Sequence, residues 1–417
     1  MKIILLLLAT LSLTINTFAG SPPTVKVGAE ILFSKEQISI LKNKNIGIIT
    51  NHTAVNSHMQ STLDLLKKHA KSKQFTVKAI FAPEHGLNGA AYAGDEITYS
   101  DTIDNIPIYF LHGKTSRPTA AMLSGIDLII YDIQDIGSRS YTYCTTLFYA
   151  MEEAAKYNIE VIVLDRPNPI NGLTVDGPML DHKLRSKVGY INVPYCHGMT
   201  IGELAQFFNG EYQVNCKLRV IPMKGWNREM TFQETGLVWI PTSPQIPEPN
   251  TAFFYPTTGI LGELSLVNIG IGYTLPFKIV GAPWIDPVTF AKHLNAQKFP
   301  GVHFEPFHYR PFYGKFAHED CFGALIVITN HKTFKPVTTQ YLILGIIKSL
   351  YPEKFKESLI TAKAKKEMFN KVNGTKEIYN IMTSQEFIVW ALRSFQEKER
   401  QQFRQLRQKY LIPTYTF

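Results

Sequence analysis

Four short apolar runs in the first 170 residues each end in a polar cluster. IGIIT (46–50) leads to Asn51 and His52, and VKAIFAP (77–83) leads to Glu84 and His85. DLIIY (127–131) leads to Asp132, Gln134 and Asp135, and VIVL (161–164) leads to Asp165, Arg166 and Asn168. Continuous Ile/Val-rich runs of this length are expected for strands buried on both faces of a parallel sheet. In an open α/β sheet the ligand crevice lies beyond the carboxyl ends of the strands. If the four runs are neighbours, their polar endings meet at one site.

Helical patterns separate these runs. Residues 28–45 predict a polar helix, and STLDLLKKHAKS (61–72) carries helical spacing at Leu63, Leu65, Leu66 and Ala70. RPTAAMLSG (117–125), TTLFYAMEEAAKYN (145–158) and GMTIGELAQFFNG (198–210) predict further helices, and IPIYFL (106–111) and LRVIPM (218–223) further strands. Strand and helix alternating in this way imply an α/β protein with a doubly wound, mostly parallel sheet. The stretch 240–257 holds five prolines and is expected to interrupt regular structure, so the domain boundary falls there. One domain then spans 24–245. A smaller α+β domain spans 246–417, with a helix at 286–296, a strand at 324–329 and a helix at 337–350.

The 417 residues, 45% apolar and 18% charged, suit a globular chain with a large core. Lys2, the apolar run 3–13 and the small residues Thr17 and Ala19 form a secretory-signal pattern over 1–19. The expectation is an exported protein, periplasmic or secreted after cleavage near Ala19. Much of the net charge of +9 lies in the last 67 residues, in KAKK (363–366) and KERQQFRQLRQK (398–409). A solvated helix face explains it, as does attraction to an anionic envelope polymer. Nucleic acid is not expected as a partner. Cys144, Cys196, Cys216 and Cys321 are scattered without a CxxC pair and are expected to be structural.

The candidate chemistry sits at the strand ends. In FAPEHGL (81–87), Glu84 follows a buried strand and Gly86 permits a tight turn, a setting in which a shielded carboxyl acts as a general acid. DIQDIGSRSYTY (132–143) offers hydrogen-bonding groups and the Tyr141 and Tyr143 rings for a polyhydroxylated ligand. In DRPNPING (165–172), Arg166 suits a substrate carboxylate, or an ion pair with Asp165 or Asp132. Other signatures fail. HGKTS (112–116) lacks the first glycine of a phosphate loop, GIGYT (270–274) lacks the dinucleotide pattern, and there is no GxSxG or HExxH. His52, His85, His112 and His197 have no spacing that demands a metal, and neither metal nor cofactor is expected.

ITNHTAV (49–55), FAPEHGLNG (81–89), YDIQDIGSRSYTY (131–143), VLDRPNPING (163–172), HGMTIGELA (197–205) and GAPW (281–284) resemble the exo-β-N-acetylmuramidase (NamZ) family from about residue 25 nearly to the C terminus. The resemblance implies a glycosidase that releases β-1,4-linked N-acetylmuramic acid from the non-reducing end of peptidoglycan fragments. It also implies a Rossmann-like N-terminal domain and a cleft closed by the C-terminal one. On that basis Glu84 is the expected general acid, with Asp132, Asp135 and Asp165 competing for the second catalytic place. Arg139 or Arg166 would hold the lactyl carboxylate. Asn51, His52, His85, Gln134, Tyr141, Tyr143, Asn168 and His197 would contact the sugar. A non-catalytic murein-binding protein on the same scaffold is the alternative. One departure stands out: many members carry a Ser-x-Gly-Arg-Gly-Thr-like stretch where this chain reads VNIGIGYTLPF (267–277), without the arginine.

Overall fold

The structure is a computed structural model that describes residues 25–92 and 102–415. The expected signal segment at 1–19 lies outside the described residues. Strands β1 (Asn45–Thr50), β2 (Thr76–Ala82), β3 (Thr102–Ile103), β4 (Ile106–Phe110), β5 (Leu128–Asp132), β6 (Glu160–Leu164) and β7 (Lys217–Ile221) form one sheet in the order β3-β4-β2-β1-β5-β6-β7. Every pairing is parallel except that of β3 with β4. From β1 the chain builds outward to one side and then returns to build the other, so the order reverses at β1. That reversal is where such sheets open a crevice.

The apolar runs are continuous because both faces of the sheet are covered. Ile129, Tyr131, Val161 and Val163 join one core layer, while their neighbours Leu128, Ile130, Ile162 and Leu164 join the other. Side chains alternate across a strand, and here neither face meets water. Helix starts follow local chemistry. Ser61 Oγ accepts from Asp64 N to open the helix Thr62–Lys73, and Thr200 and Glu203 cap Ile201–Glu211 reciprocally.

Several expected elements differ. Residues 28–45 hold two short turns, Gly28–Leu32 and Ile38–Leu41, rather than one helix, and the helix expected over 117–125 is reduced to Ala120–Leu123. The proline-rich stretch contains the start of the helix Thr251–Glu263, with Pro256 inside it. Phe253, Phe254, Ile260 and Leu261 bury that helix, and tertiary burial outweighs the lost backbone bond. The C-terminal half adds β8 (Ile279–Ala282), β9 (Val302–Tyr309) and β10 (Cys321–Ile328), antiparallel in the order β8-β10-β9. β8 and β9 escaped the periodicity reading. The hydrophobic core runs unbroken from β1 to Phe403.

The basic C-terminal segment is not a solvated face at its centre. Arg400 and Arg407 are buried: Arg407 Nη1 donates to the carbonyls of His197 (2.9 Å) and Gly198 (2.7 Å), and Arg400 Nη1 to that of Gly177 (3.2 Å). The charge there ties the last helices onto the N-terminal half. All four cysteines are buried and unpaired.

Candidate active site

The site starts at the end of β2. Pro83 O accepts from Gly86 N (3.0 Å), and the turn needs left-handed backbone at His85 (φ 69°) and Gly86 (φ 77°). Glycine adopts this freely, whereas His85 does so at some cost. The turn holds the Glu84 carboxylate against the first residue of the helix Thr142–Lys156, where Thr142 Oγ1 donates to Glu84 Oε2 at 2.5 Å. An anion at a helix N-terminus is favoured by the helix dipole. His112, just past β4, brings Nδ1 to 3.7 Å from the same oxygen, and the Lys187 ammonium contacts that imidazole nitrogen. Burial lowers the His112 pKa, opposed by the Glu84 charge, and burial likewise lowers that of Lys187.

Glu84 opens into a cavity of roughly 610 Å³ between the strand-end turns and the C-terminal half. One wall comes from the Ser140–Thr142 turn, Tyr195 and the loop at 243–246; the other from the helix Thr251–Glu263, the segment 265–271, Phe277 and Lys315. The aromatic wall is braced. Ser140 Oγ bonds the Tyr195 hydroxyl (2.6 Å) and the Tyr255 hydroxyl (3.2 Å), and Tyr141 meets Tyr255 edge-on with centroids 5.9 Å apart. Tyr141 OH donates to Thr242 Oγ1 at 2.9 Å. Such a surface presents flat apolar faces and fixed hydroxyls, as sugar rings require.

Asn268 builds the far side. It accepts from Gly270 N (2.7 Å), and its amide donates to the carbonyls of Ile271 (3.0 Å) and Lys315 (2.9 Å). The Lys315 backbone is thereby fastened to the turn at 268–271. Among the described lining residues, Lys315 is the one lysine or arginine, and Glu84 and Glu263 are the two carboxylates. Burial raises the Glu263 pKa, partly offset by Lys365.

Of the residues singled out from the sequence, the cavity receives Glu84, His85 and Tyr141. The others do converge, but on one another. Asp132 is fully buried, takes both Nε (2.5 Å) and Nη2 (3.0 Å) of Arg166, and accepts from Thr62 Oγ1 at 2.5 Å. Asp165 accepts from Arg166 N, Gly202 N, Thr200 Oγ1 and Tyr415 OH. Burial and the Glu203 charge raise its pKa to about 7. Asp135 accepts from Gly137 N (2.8 Å) through Oδ2, while Oδ1 is buried without a partner, and burial raises its pKa to about 7. None of these three carboxyls lines the cavity.

The expected cationic clamps are occupied as well. Arg139 is buried and donates to the carbonyls of Pro178, Val193, Val372 and Asn373. Arg166 serves Asp132 and the Val55 carbonyl. Gln134 bridges the carbonyls of Asp135 and Pro167, and Asn168 the Met199 carbonyl (3.0 Å) and the Ile170 amide. Asn51 Oδ1 accepts from Thr53. Tyr143 donates to Thr242 O at 2.6 Å. His52 Nε2 lies 2.6 Å from Pro241 O, and His197 is buried with a pKa lowered by burial to about 3. These groups frame the turns that carry the site. Among the described residues no three His, Cys, Asp or Glu side chains are grouped to hold a metal ion.

From sequence His112 was weighed only as a metal ligand, and Thr142, Lys187, Tyr195, Tyr255, Glu263 and Lys315 were not singled out. The last two lie in a helix end and a loop of the C-terminal half, and no local pattern ties them to the strand ends of the other half.

Comparison with known proteins places the chain in a family. Residues 46–250 match the family model "Exo-beta-N-acetylmuramidase NamZ, N-terminal", and residues 253–412 match its C-terminal counterpart. The chain is 39% identical over 393 residues to the peptidoglycan beta-N-acetylmuramidase NamZ of Bacillus subtilis (strain 168), covering 94% of this chain and 92% of that protein. Two DUF1343 family proteins from Bacteroides fragilis NCTC 9343 share the structure. One has a TM-score of 0.85 at 41% identity, the other 0.66 at 28%, each covering 93% of this chain and 98% of its own. With both halves matched in order and the fold shared throughout, this chain belongs to the exo-β-N-acetylmuramidase NamZ family.

Proposed function

We propose that the protein is a glycoside hydrolase that releases β-1,4-linked N-acetylmuramic acid from the non-reducing end of peptidoglycan fragments. The observation that carries this is the Glu84 carboxylate, held by Thr142 in the lining of an aromatic-walled cavity in a chain of this family. Glycoside hydrolysis needs a carboxyl at the glycosidic bond and a surface that orients the ring. Lys315 supports a substrate that carries a lactyl carboxylate, because both expected arginines are spent on internal contacts. The leader-like pattern at 1–19 supports export to the compartment where murein is turned over.

The test is release of a chromogenic aglycone from β-linked N-acetylmuramic acid, beside the matching N-acetylglucosamine compound. The muramic compound alone is turned over, and Glu84→Gln lowers kcat/KM by at least about a hundredfold. Saturable binding of murein fragments with turnover of neither compound would move the assignment to a binding protein.

A further inference from the structure

Most glycosidases use two carboxyl groups with different tasks, and the two carboxylates that line this cavity come from the two halves of the chain. Glu263 is the last residue of the helix Thr251–Glu263 and lines the same cavity as Glu84. The two lie close enough to the Tyr255 phenol, in the wall of the cavity, for both to act on it electrostatically. Their surroundings are opposite in kind. Glu84 accepts the Thr142 hydroxyl, sits at a helix N-terminus and lies near the Lys187 ammonium, which contacts the neighbouring His112 imidazole, so it has both a donor and a cation to hold its charge. Glu263 has no hydrogen-bond or ion-pair partner among the described residues and is half-buried. Lys365, whose ammonium is held at 2.6 Å by Ser265 Oγ, is the cation that acts on it. A carboxyl withdrawn from water without a donor favours its neutral form. Two carboxyls in contrasting environments take contrasting roles.

We propose that Glu263 is the second catalytic carboxyl and the general acid, with Glu84 acting as the carboxylate on the anomeric-carbon side. This rests on the glycosidase reading above and exchanges the role expected for Glu84 from sequence. As the bond between the anomeric carbon and the glycosidic oxygen breaks, that oxygen takes the Glu263 proton and leaves as a sugar hydroxyl. Glu84 meets the positive charge developing at the anomeric carbon. Water then supplies the new hydroxyl there, and its released proton replaces the one that Glu263 gave up.

The experiment compares Glu263→Gln and Glu84→Gln on two β-N-acetylmuramides, one with a 2,4-dinitrophenyl aglycone and one with a sugar aglycone. A dinitrophenolate leaves without protonation, whereas a sugar alkoxide does not. Glu263→Gln therefore loses at least about a hundredfold on the sugar aglycone and less than about tenfold on the dinitrophenyl compound. Glu84→Gln loses at least about a hundredfold on both. Equal loss on both substrates for Glu263→Gln, no loss on either, or the leaving-group dependence appearing in Glu84→Gln instead would overturn the assignment. Thermal unfolding separates a structural effect. Removing an unpartnered carboxyl leaves Tm unchanged or raised, so a lowered Tm with parallel activity loss counts against a catalytic role. If wild type turns over neither muramide, the glycosidase reading itself fails and the division of roles falls with it.

Discussion

At the scale of single residues, the same side-chain types do different work according to what surrounds them. Asp132 and Asp165 have their oxygens taken by donors, while Asp135 keeps one oxygen buried without a partner. Burial raises the Asp135 pKa to about 7, against about 3.9 in an unfolded chain. The folded state then binds a proton that the unfolded state has lost. The Asp135 contribution is fully present below about pH 4 and declines as pH rises through about 7. Asp135→Asn removes it, so the stability of wild type relative to the variant falls with pH across that window, by up to roughly 1.4 kcal/mol per unit. Chemical denaturation at several pH values reads this difference, and parallel curves would refute it. Lys315 is the second residue-scale case. If it receives the substrate carboxylate, Lys315→Met raises KM for the muramic compound about five- to tenfold with little change in kcat, as expected for an exposed charge-assisted contact. An unchanged KM would exclude that contact.

At the scale of elements, the C-terminal helix Glu397–Leu406 shows how a charged pattern serves packing. Its period put arginines on one face, which the sequence alone presented as a solvated or polymer-facing stripe. In the structure Arg400 and Arg404 of that helix, and Arg407 just past its end, donate to the carbonyls of Gly177, Val175, His197 and Gly198. Arg407→Ala leaves the His197 and Gly198 carbonyls without their donor and destabilises by about 3 kcal/mol or more. Lys398→Ala, on the exposed face, changes stability by less than about 0.5 kcal/mol. Urea midpoints of the two variants make the comparison, and similar effects would contradict the clamp. The helix Thr251–Glu263 makes the opposite point. Its proline argued against regular structure, yet burial of Phe253, Phe254, Ile260 and Leu261 keeps it helical and carries Glu263 to the cavity.

At the scale of the whole molecule, the cavity belongs to both halves, and so does the core. Residues from Ile49 to Phe403 pack in one continuous apolar cluster, and Arg139, Arg400 and Arg407 tie backbone across the two family segments. Unfolding one half would expose the other's apolar face, so calorimetry gives a single cooperative transition. Two resolved transitions would show that the halves are independent.

The sequence by itself determined the doubly wound sheet, because strands buried on two faces must be continuously apolar and their spacing is local. It also pointed to Glu84, at the end of β2 before a turn that needs Gly86, and the structure places that residue in the cavity lining. The tertiary structure decided which polar residues meet solvent in the cavity. Asp132, Asp165, Arg139 and Arg166 carry the same chemistry as active-site groups, and only their partners, from 34 to 250 positions away, show them occupied. Glu263 and Lys315 reach the site only because the C-terminal half folds over the strand ends. Periodicity records which face of an element is buried; it holds no record of what lies across the gap.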